Sequence, residues 1–290
     1  MLKKTQNNRW KLSAALAGLM LSTSAMAGTP APTEGFDNLF DRAEDDGRCN
    51  VNVVSSLNST FYVPSDSSNS SATFNVLVWG NGTGGTSSTY RTLLESVASQ
   101  CILVAAANTE DSGTGSEMQD ALNSARSRYA SLIAADARVC TAGHSQGGGG
   151  SFNAANRIGA DCVIPVQPDT RWTTQIYDDL DSNVEVITLW SSSDSLAPAS
   201  GNRRNVEDAS SILTQVETSG EGHFEPTSGR GGNIGTLFRM ANIAQLSNDP
   251  ATRQEFRQAF FGPTTEFTAT ESHSDISDVR RDFGAINTAP

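Results

Sequence analysis

The feature that most constrains this chain is a predicted strand, tight turn and helix within residues 138–157. The sequence there reads RVCTAGHSQGGGGSFNAANR and holds a G-x-S-x-G pattern from Gly143 to Gly147. Small residues two positions either side of Ser145 suit a sharp strand-to-helix turn, because the strand and the helix nearly collide there. Such a turn exposes the serine hydroxyl at the carboxyl end of the strand. The pattern therefore predicts a nucleophile elbow, and a glycine-rich loop with an incidental serine is the alternative.

The first 27 residues have the pattern of a secretory signal peptide. Basic residues precede the apolar run Leu12 to Leu21, and the cleavage pattern Ala25-Met26-Ala27 follows it. The apolar run is too short to span a bilayer. We therefore expect cleavage after Ala27 and a soluble, secreted or periplasmic chain from Gly28, whose 263 residues suit a single α/β domain.

The expected mature chain is acidic and free of lysine. Residues 1–27 hold four of the 20 Lys and Arg residues, all three lysines among them, and none of the 32 Asp and Glu residues, which leaves a net charge of −16. Nucleic acids and anionic membranes both require clustered positive charge on a partner protein. The composition argues against both as partners, and we expect a monomer.

Four cysteines remain after residue 27, and in an oxidising compartment an even number indicates disulfides. Three connectivities are open. Cys140 and Cys162 fall near equivalent points of two successive predicted strands, so we favour Cys140 with Cys162 and Cys49 with Cys101. Four buried thiols are the alternative. The chain has no C-x-x-C and only three scattered histidines, so we expect no metal and no other cofactor.

Strands and helices alternate in the predicted fold. A mobile leader and first turn over 28–47 precede an antiparallel pair at 49–54 and 60–63. Apolar runs predict the later strands, and apolar residues at helical spacing predict helices between them. These strands are 74–79, 101–107, 138–142, 162–166, 184–190 and 211–216. Three helices are predicted: one begins at Ser87 or Ser88, one covers 118–134, and one follows Ser145. The pattern gives a mostly parallel, twisted sheet flanked by helices, with right-handed crossovers, no evident lid domain and a polar C-terminal segment over 264–290.

A serine nucleophile needs a base, and a base needs an acid that orients it. Of the three histidines, His223 follows a predicted strand in a glycine-rich loop and is the predicted base. His144 adjoins the nucleophile with its side chain directed away from substrate, so we interpret it as a packing or hydrogen-bonding residue. His273 lies in a polar segment and is interpreted as a surface residue.

The acid should follow a strand between the nucleophile and the base. Asp194, in the loop after the strand 184–190, fits best. Asp169 is the competitor and Asp181 a weaker one, while a turn-forming role is the alternative for Asp194. Backbone N–H groups of Gln146 and of Thr83, in the loop Gly80 to Gly85, are the predicted oxyanion donors.

These motifs resemble those of the cutinase-like α/β hydrolases, which include bacterial cutinases and polyester (PET) hydrolases, with dienelactone-hydrolase-type and chlorophyllase-like esterases as wider relatives. The resemblance covers about residues 74–263. It depends on TAGHSQGGGG, CVIPVQP, SSSDSLAP, EGHFEP and GNGTGGTSSTYRTLLESVASQ.

The resemblance implies an α/β-hydrolase fold and a serine esterase that works through an acyl-enzyme, with Ser145, His223 and Asp194 as its triad. Thr83 and Gln146 would supply the oxyanion hole and, with Asp169 and Trp172, contact the substrate. Polyester-active members usually carry an aromatic residue where Thr83 stands, Met where Gln146 stands and Trp where Asp169 stands, so the aromatic clamp is weaker here. A small-substrate or acetyl-carbohydrate esterase is the alternative function, and an inactive extracellular binding module is a further one.

Overall fold

Buried apolar runs form the centre of one mixed sheet. The computed structural model describes residues 36–169, 173, 180–198, 200–202, 212–261 and 276–282. The nine strands described there lie in the order β1-β2-β4-β3-β5-β6-β7-β8-β9. Their bounds are β1 (Asn50–Ser55), β2 (Ser59–Ser65), β3 (Val76–Gly80), β4 (Leu103–Ala107), β5 (Val139–His144), β6 (Cys162–Val166), β7 (Glu185–Ser191), β8 (Ile212–Thr218) and β9 (Ile276–Asp282).

Strands β3 to β8 run parallel to one another, and β1, β2 and β9 pair antiparallel at the two sides of the sheet. The predicted mostly parallel sheet is therefore confirmed, as is the opening antiparallel pair. Because parallel strands end at the same edge of a sheet, the segments that follow β3, β5, β6, β7 and β8 all begin at one edge. We call this the carboxyl edge, and the opposite one the amino edge.

Helices cover both faces of the sheet. They are α1 (Phe36–Glu44), α2 (Arg91–Ser99), α3 (Ser116–Arg128), α4 (Gln146–Ile158), α5 (Gly232–Leu246) and α6 (Pro250–Phe261). Leu77 and Trp79 of β3 belong to a core cluster with α1, α2, α5 and α6, whereas Val76 and Val78 belong to a cluster with α3 and α4. This alternation follows from the two-residue period of a strand, and burial on both faces explains why β3 reads as one continuous apolar run.

The prediction of a mobile leader over 28–47 is wrong where it covers α1, and a strand near the other end of the chain was not predicted. The leader predicted over 28–47 contains α1, whose Leu39, Phe40 and Ala43 are buried in the core cluster with α5. Three apolar residues on one helical face outweigh the polar composition of that segment. The polar segment predicted over 264–290 contains β9, which pairs through its backbone with β8. Backbone pairing at the side of a sheet needs no apolar run, so composition did not reveal this strand.

Helices differ from their predicted bounds at other points. The helix predicted over 118–134 begins at Ser116 and ends at Arg128. Ser87 and Ser88 do not cap α2, because they lie inside a 3₁₀ turn that runs from Ser87 to Tyr90 and leads into it. The sequence analysis gave no prediction for α5 and α6.

Both favoured disulfides are present. Cys49 is joined to Cys101, and Cys140 is joined to Cys162, with Cα atoms 5.3 Å and 4.6 Å apart. Cys140 and Cys162 are also direct partners in the parallel pairing of β5 with β6, which is the equivalence that the sequence indicated. Among the described residues, no helix has both the length and the apolar character needed to cross a membrane. The predicted signal peptide lies outside the described residues.

Candidate active site

Ser145 occupies the sharp turn between β5 and α4. Its backbone dihedral angles are φ 53° and ψ −118°, a conformation that residues with a side chain rarely adopt. A Cβ added at Gly143 would overlap the backbone of Gly147, and one added at Gly147 would overlap the backbone of Gly80. The steric reason for small residues on both sides of Ser145 is therefore confirmed.

Backbone hydrogen bonds hold this strained residue in place. The Ser145 N–H donates to the carbonyl of Val166 at 3.1 Å, and the Ser145 carbonyl accepts from the N–H groups of Gly149 at 3.0 Å and Asp169 at 2.8 Å. A strained backbone persists only where the surrounding structure fixes it, and such strain is concentrated at functional sites. The local geometry therefore marks Ser145 as a candidate functional residue.

A continuous hydrogen-bonded chain joins the three side chains predicted to act together. His223 Nε2 lies 2.9 Å from Ser145 Oγ, and His223 Nδ1 lies 2.7 Å from Asp194 Oδ2. Ser145 follows β5, Asp194 follows β7 and His223 follows β8, so the three meet at the carboxyl edge. We call this arrangement the Ser–His–Asp chain.

The second oxygen of Asp194 is held by the backbone. Asp194 Oδ1 accepts hydrogen bonds from the N–H groups of Leu196 and Ala197, each at 2.8 Å. Burial by itself would raise the pKa of the Asp194 carboxyl, but the hydrogen bond with His223 and those from Ala197 and Leu196 outweigh it and hold the pKa below its ordinary value. Asp194 is therefore an ionised acceptor that fixes the orientation of the His223 ring.

The other candidate acids have partners of their own. The Asp169 carboxylate accepts a hydrogen bond from Thr173 Oγ1 at 3.0 Å, beside the Ser145 backbone. Asp181 lies in an exposed turn, where its Oδ1 accepts from the N–H of Asn183 at 2.9 Å. His273 and Trp172 lie outside the described residues, and nothing is concluded about their positions.

His144 is buried beneath the Ser–His–Asp chain and does not belong to it. Its Nδ1 lies 2.9 Å from Tyr90 Oη, and its Nε2 lies 2.8 Å from the carbonyl oxygen of His223. Burial, followed by the charge that His223 can carry, lowers the pKa of His144 from 6.5 to about 3. The interpretation of His144 as a hydrogen-bonding residue agrees with these contacts.

Thr83 and Gln146, the predicted oxyanion donors, lie beside Ser145. Gln146 is the first residue of α4, so its N–H is one of the unpaired donors at a helix N-terminus. Thr83 follows Gly82, where an added Cβ would lie 3.3 Å from Ser145 Cβ. Among the described residues, neither N–H has an acceptor. Both backbone donors are therefore available beside Ser145 for a ligand oxygen.

A cavity of about 580 Å³ opens over Ser145 and His223. One part of its wall is apolar, since Leu196 and Phe224 line it and expose 58% and 65% of their surface. The rest is mostly polar and includes Thr83, Thr89, Ser195, Thr227 and Asp169. The wall can therefore accept a ligand that has both an apolar and a polar part.

Sequence reasoning missed two residues near the nucleophile. Tyr90 was assigned only to the apolar face of a helix, yet its hydroxyl contacts His144. Gln167 is fully buried at φ 42°, and its Nε2 donates to the Gly222 carbonyl at 3.1 Å. A glutamine between a buried strand and a proline was the available signal, because a buried amide requires a partner.

Metal ligation receives no support from the described residues. The one group of potential ligands found among them is Cys49, Asp66 and Cys101, and the disulfide between the two cysteines removes both thiolates.

No protein-family model matches the chain, and no curated protein matches it.

Proposed function

We propose that this protein is a serine carboxylic-ester hydrolase with an α/β-hydrolase fold, related to the cutinase-like enzymes. The observation that supports this most strongly is the unbroken hydrogen-bonded path from Asp194 through His223 to Ser145 at a strained turn beneath an open cavity. Strain, order along the chain and hydrogen-bond reach all agree with the roles of acid, base and nucleophile.

In the proposed first half-reaction, Ser145 Oγ attacks the ester carbonyl carbon while His223 Nε2 takes the hydroxyl proton. A tetrahedral intermediate forms and carries the negative charge on the former carbonyl oxygen. Its collapse breaks the bond to the alcohol oxygen, and His223 returns the proton to the departing alcohol. The products are an acyl-enzyme on Ser145 and a free alcohol.

In the second half-reaction, water replaces the alcohol. His223 Nε2 takes a proton from water as its oxygen attacks the acyl carbonyl, and the proton passes to Ser145 Oγ when the acid leaves. Asp194 stays ionised throughout and stabilises the charged imidazole ring. The low pKa of its carboxyl fits this role.

The N–H groups of Thr83 and Gln146 are the proposed oxyanion donors. Removal of one such donor in a comparable enzyme costs about 3 to 4 kcal/mol of transition-state stabilisation. Both donors here are backbone groups, so the identity of their side chains can vary without loss of the donor. This explains how Thr83 and Gln146 can serve where polyester-active relatives carry aromatic and Met side chains.

The walls of the cavity indicate the class of ester. Leu196 and Phe224 provide an exposed apolar surface for an acyl chain or a polyester segment. The hydroxyl groups of Thr83, Thr89 and Thr227 favour the second candidate, an esterase that acts on small or acetylated carbohydrate substrates. An inactive binding module has less support, because every hydrogen bond of the Ser–His–Asp chain is formed.

We also propose that the enzyme is exported and acts as a monomer without nucleic-acid or membrane partners. The predicted signal peptide, the lysine-free acidic composition after residue 27 and the two disulfides support this.

The test is hydrolysis of a p-nitrophenyl ester series from acetate to palmitate, with an acetylated sugar and a polyester film beside it. Ser145→Ala should abolish turnover and covalent labelling by an organophosphonate while the thermal midpoint stays near that of the wild type. Ser151→Ala is the matched control, since Ser151 is a buried serine of the following helix α4 whose hydroxyl donates to the Gly148 carbonyl.

Hydrolysis of soluble esters together with erosion of the film would support a polyesterase. Turnover confined to short or acetylated substrates would support the second candidate. Turnover retained by Ser145→Ala would defeat the proposal, and a wild type that neither hydrolyses any ester nor takes up the probe would favour the binding module.

A further inference from the structure

A second path of buried polar contacts runs beneath the cavity, apart from the Ser–His–Asp chain. The N–H of Gly82 lies 3.1 Å from Tyr90 Oη, which lies 2.9 Å from His144 Nδ1. His144 Nε2 lies 2.8 Å from the carbonyl oxygen of His223. The path therefore connects the loop that carries Thr83 with the backbone of the proposed base.

Elementary chemistry fixes the direction of every hydrogen bond in this path. A carbonyl oxygen only accepts, so Nε2 of His144 must carry the proton that is donated to His223. The neutral ring then accepts at Nδ1, so Tyr90 donates its O–H there and its oxygen accepts from Gly82. Burial raises the pKa of Tyr90 to about 12, so its O–H remains protonated at neutral pH. No other assignment satisfies all three contacts with a neutral histidine.

We propose that Tyr90 and His144 are positioning residues. They fix the loop that carries Thr83, and the His223 base, in their positions relative to Ser145. This proposal rests on the function proposed above, and both residues contribute to the cavity wall but lie outside the Ser–His–Asp chain.

Packing around Gly82 connects this path to the reaction. A Cβ at Gly82 would lie 2.9 Å from Tyr90 Oη, 3.2 Å from His144 Nδ1 and 3.3 Å from Ser145 Cβ. Gly82 therefore rests directly on both positioning side chains and on the nucleophile. Since Thr83 is the next residue, a shift of Tyr90 or His144 would move the proposed oxyanion donor relative to Ser145.

His144 also packs against the proposed base, His223, and Tyr90 packs against His144. The His144 and His223 rings are tilted against each other at 42° with their centroids 4.7 Å apart, and the centroids of the Tyr90 and His144 rings are 5.6 Å apart. Gln167 supports the neighbouring position through its hydrogen bond to the Gly222 carbonyl. Two successive carbonyls of the His223 loop are thus held by side chains from the ends of β5 and β6.

Simple packing does not require this arrangement. Tyr90 and His144 expose only 3% and 2% of their surface, and burial of polar groups is unfavourable unless each one finds a partner. Apolar side chains of similar shape would fill the same space without that requirement. Polar groups at these two positions are explained if their hydrogen bonds fix the Gly82 and His223 backbones in place.

The first experiment compares Tyr90→Phe with Tyr62→Phe. Tyr62 is also buried, and its hydroxyl donates one hydrogen bond to the Ser87 carbonyl at 3.0 Å, so both variants lose a buried hydroxyl. We expect Tyr90→Phe to lower kcat about tenfold with KM nearly unchanged, because small misplacements of reacting groups are costly. Tyr62→Phe should change only the thermal midpoint. Equal kcat in the two variants would overturn the proposal.

The second experiment tests whether the side chain at position 144 acts through its N–H donor or only through the space that it fills. His144→Gln places an amide N–H near the former Nε2 and should retain most of kcat, whereas His144→Leu should lose about a hundredfold. If both variants lose activity equally while both fold, the hydrogen bond to the His223 carbonyl has no positioning role.

The third measurement does not depend on turnover. The chain has three histidines, so ¹⁵N-histidine NMR of the wild type, His144→Gln and His223→Gln assigns each ring. We expect His144 protonated on Nε2 alone, and a His223 Nδ1–H resonance that moves in Tyr90→Phe but not in Tyr62→Phe. Protonation of His144 on Nδ1, or a resonance that moves in neither variant, would overturn the proposal. These outcomes stand even if the wild type hydrolyses no ester, which would defeat the proposed function instead.

Discussion

The two edges of the central sheet both hold buried charge, but they hold it differently. At the amino edge, Glu185 accepts hydrogen bonds from both terminal nitrogens of Arg257, at 2.5 Å and 2.6 Å, and lies 3.6 Å from Arg138. At the carboxyl edge, Asp194 has one histidine and two backbone N–H groups as partners. The amino-edge charge is paired with permanent cations, whereas the carboxyl-edge charge is paired with a group that can give up its proton.

Backbone strain separates the two edges further. Three described residues other than glycine have positive φ angles, and two of them, Ser145 and Gln167, lie at the carboxyl edge. The third, Cys101, is held by a disulfide. Among the described residues, backbone strain without a covalent restraint therefore occurs beside the Ser–His–Asp chain and not beside the ion pairs of Glu185. This is the pattern expected if one edge serves the reaction and the other serves stability.

The largest effect should come from the carboxyl edge. Asp194→Asn keeps the shape of the side chain but loses its charge and its preference for one histidine tautomer, and the analogous change in a Ser-His-Asp triad lowers kcat about 10⁴-fold. We expect a similar fall in ester turnover with little change in the thermal midpoint. Asp181→Asn is the control, because that aspartate only closes an exposed turn. Comparable turnover in the two variants would remove Asp194 from the reaction.

An intermediate effect is expected at the amino edge. Glu185→Gln leaves the largely buried Arg257 without its anionic partner, which should lower the free energy of unfolding by about 3 kcal/mol. Turnover should stay near that of the wild type, as measured on the same ester beside urea unfolding curves. Glu95→Gln, which loses only an exposed pair with Arg91, should change stability by less than about 0.5 kcal/mol. A large fall in turnover for Glu185→Gln would end the division of roles between the edges.

The smallest effect concerns pH and stability. Folding lowers the pKa of His144 from 6.5 to about 3. Below pH 6.5 the unfolded chain therefore binds a proton at His144 that the folded chain does not bind. This contribution to stability is complete above pH 6.5 and should fall by up to about 1.4 kcal/mol per pH unit towards pH 3. Tyr90 stays protonated and Asp194 stays ionised between pH 6.5 and 5, and the other titrating groups, His223 among them, are common to the wild type and a His144 variant.

Urea unfolding of the wild type and of His144→Gln between pH 7 and 5 measures this contribution. The wild type should lose about 2 kcal/mol more than the variant between pH 6.5 and 5. If the free energy of unfolding changes equally with pH in the wild type and in His144→Gln, folding does not lower the pKa of His144.

The parts of the fold that sequence predicted are those set by local pattern. The apolar runs of β3 to β8 gave the parallel sheet, and the glycines around Ser145 gave the turn, because both depend on residues that are adjacent in the chain. Ser145, Asp194 and His223 could be placed together because each follows a strand and parallel strands end at one edge. The disulfide of Cys140 with Cys162 followed from the same register.

The remaining features depend on contacts between distant segments. Helix α1 is held to α5 partly through Arg239, whose Nε donates to the Ala43 carbonyl at 2.5 Å, and no local pattern reports such a bond. Strand β9 forms by backbone pairing with β8, a distant segment of the chain. Tyr90 and His144 are 54 positions apart, so their contact was invisible in sequence although each residue was noticed separately.

The bond between Cys140 and Cys162 has a consequence for how the protein responds to a peptidase. The two cysteines bracket Ser145 and are 22 positions apart, so the nucleophile and the whole of α4 lie inside a covalently closed ring. A peptidase that cuts once within this ring cannot separate the pieces. The nicked chain would migrate as one band without reductant and as two with it, and it would keep its serine tethered on both sides.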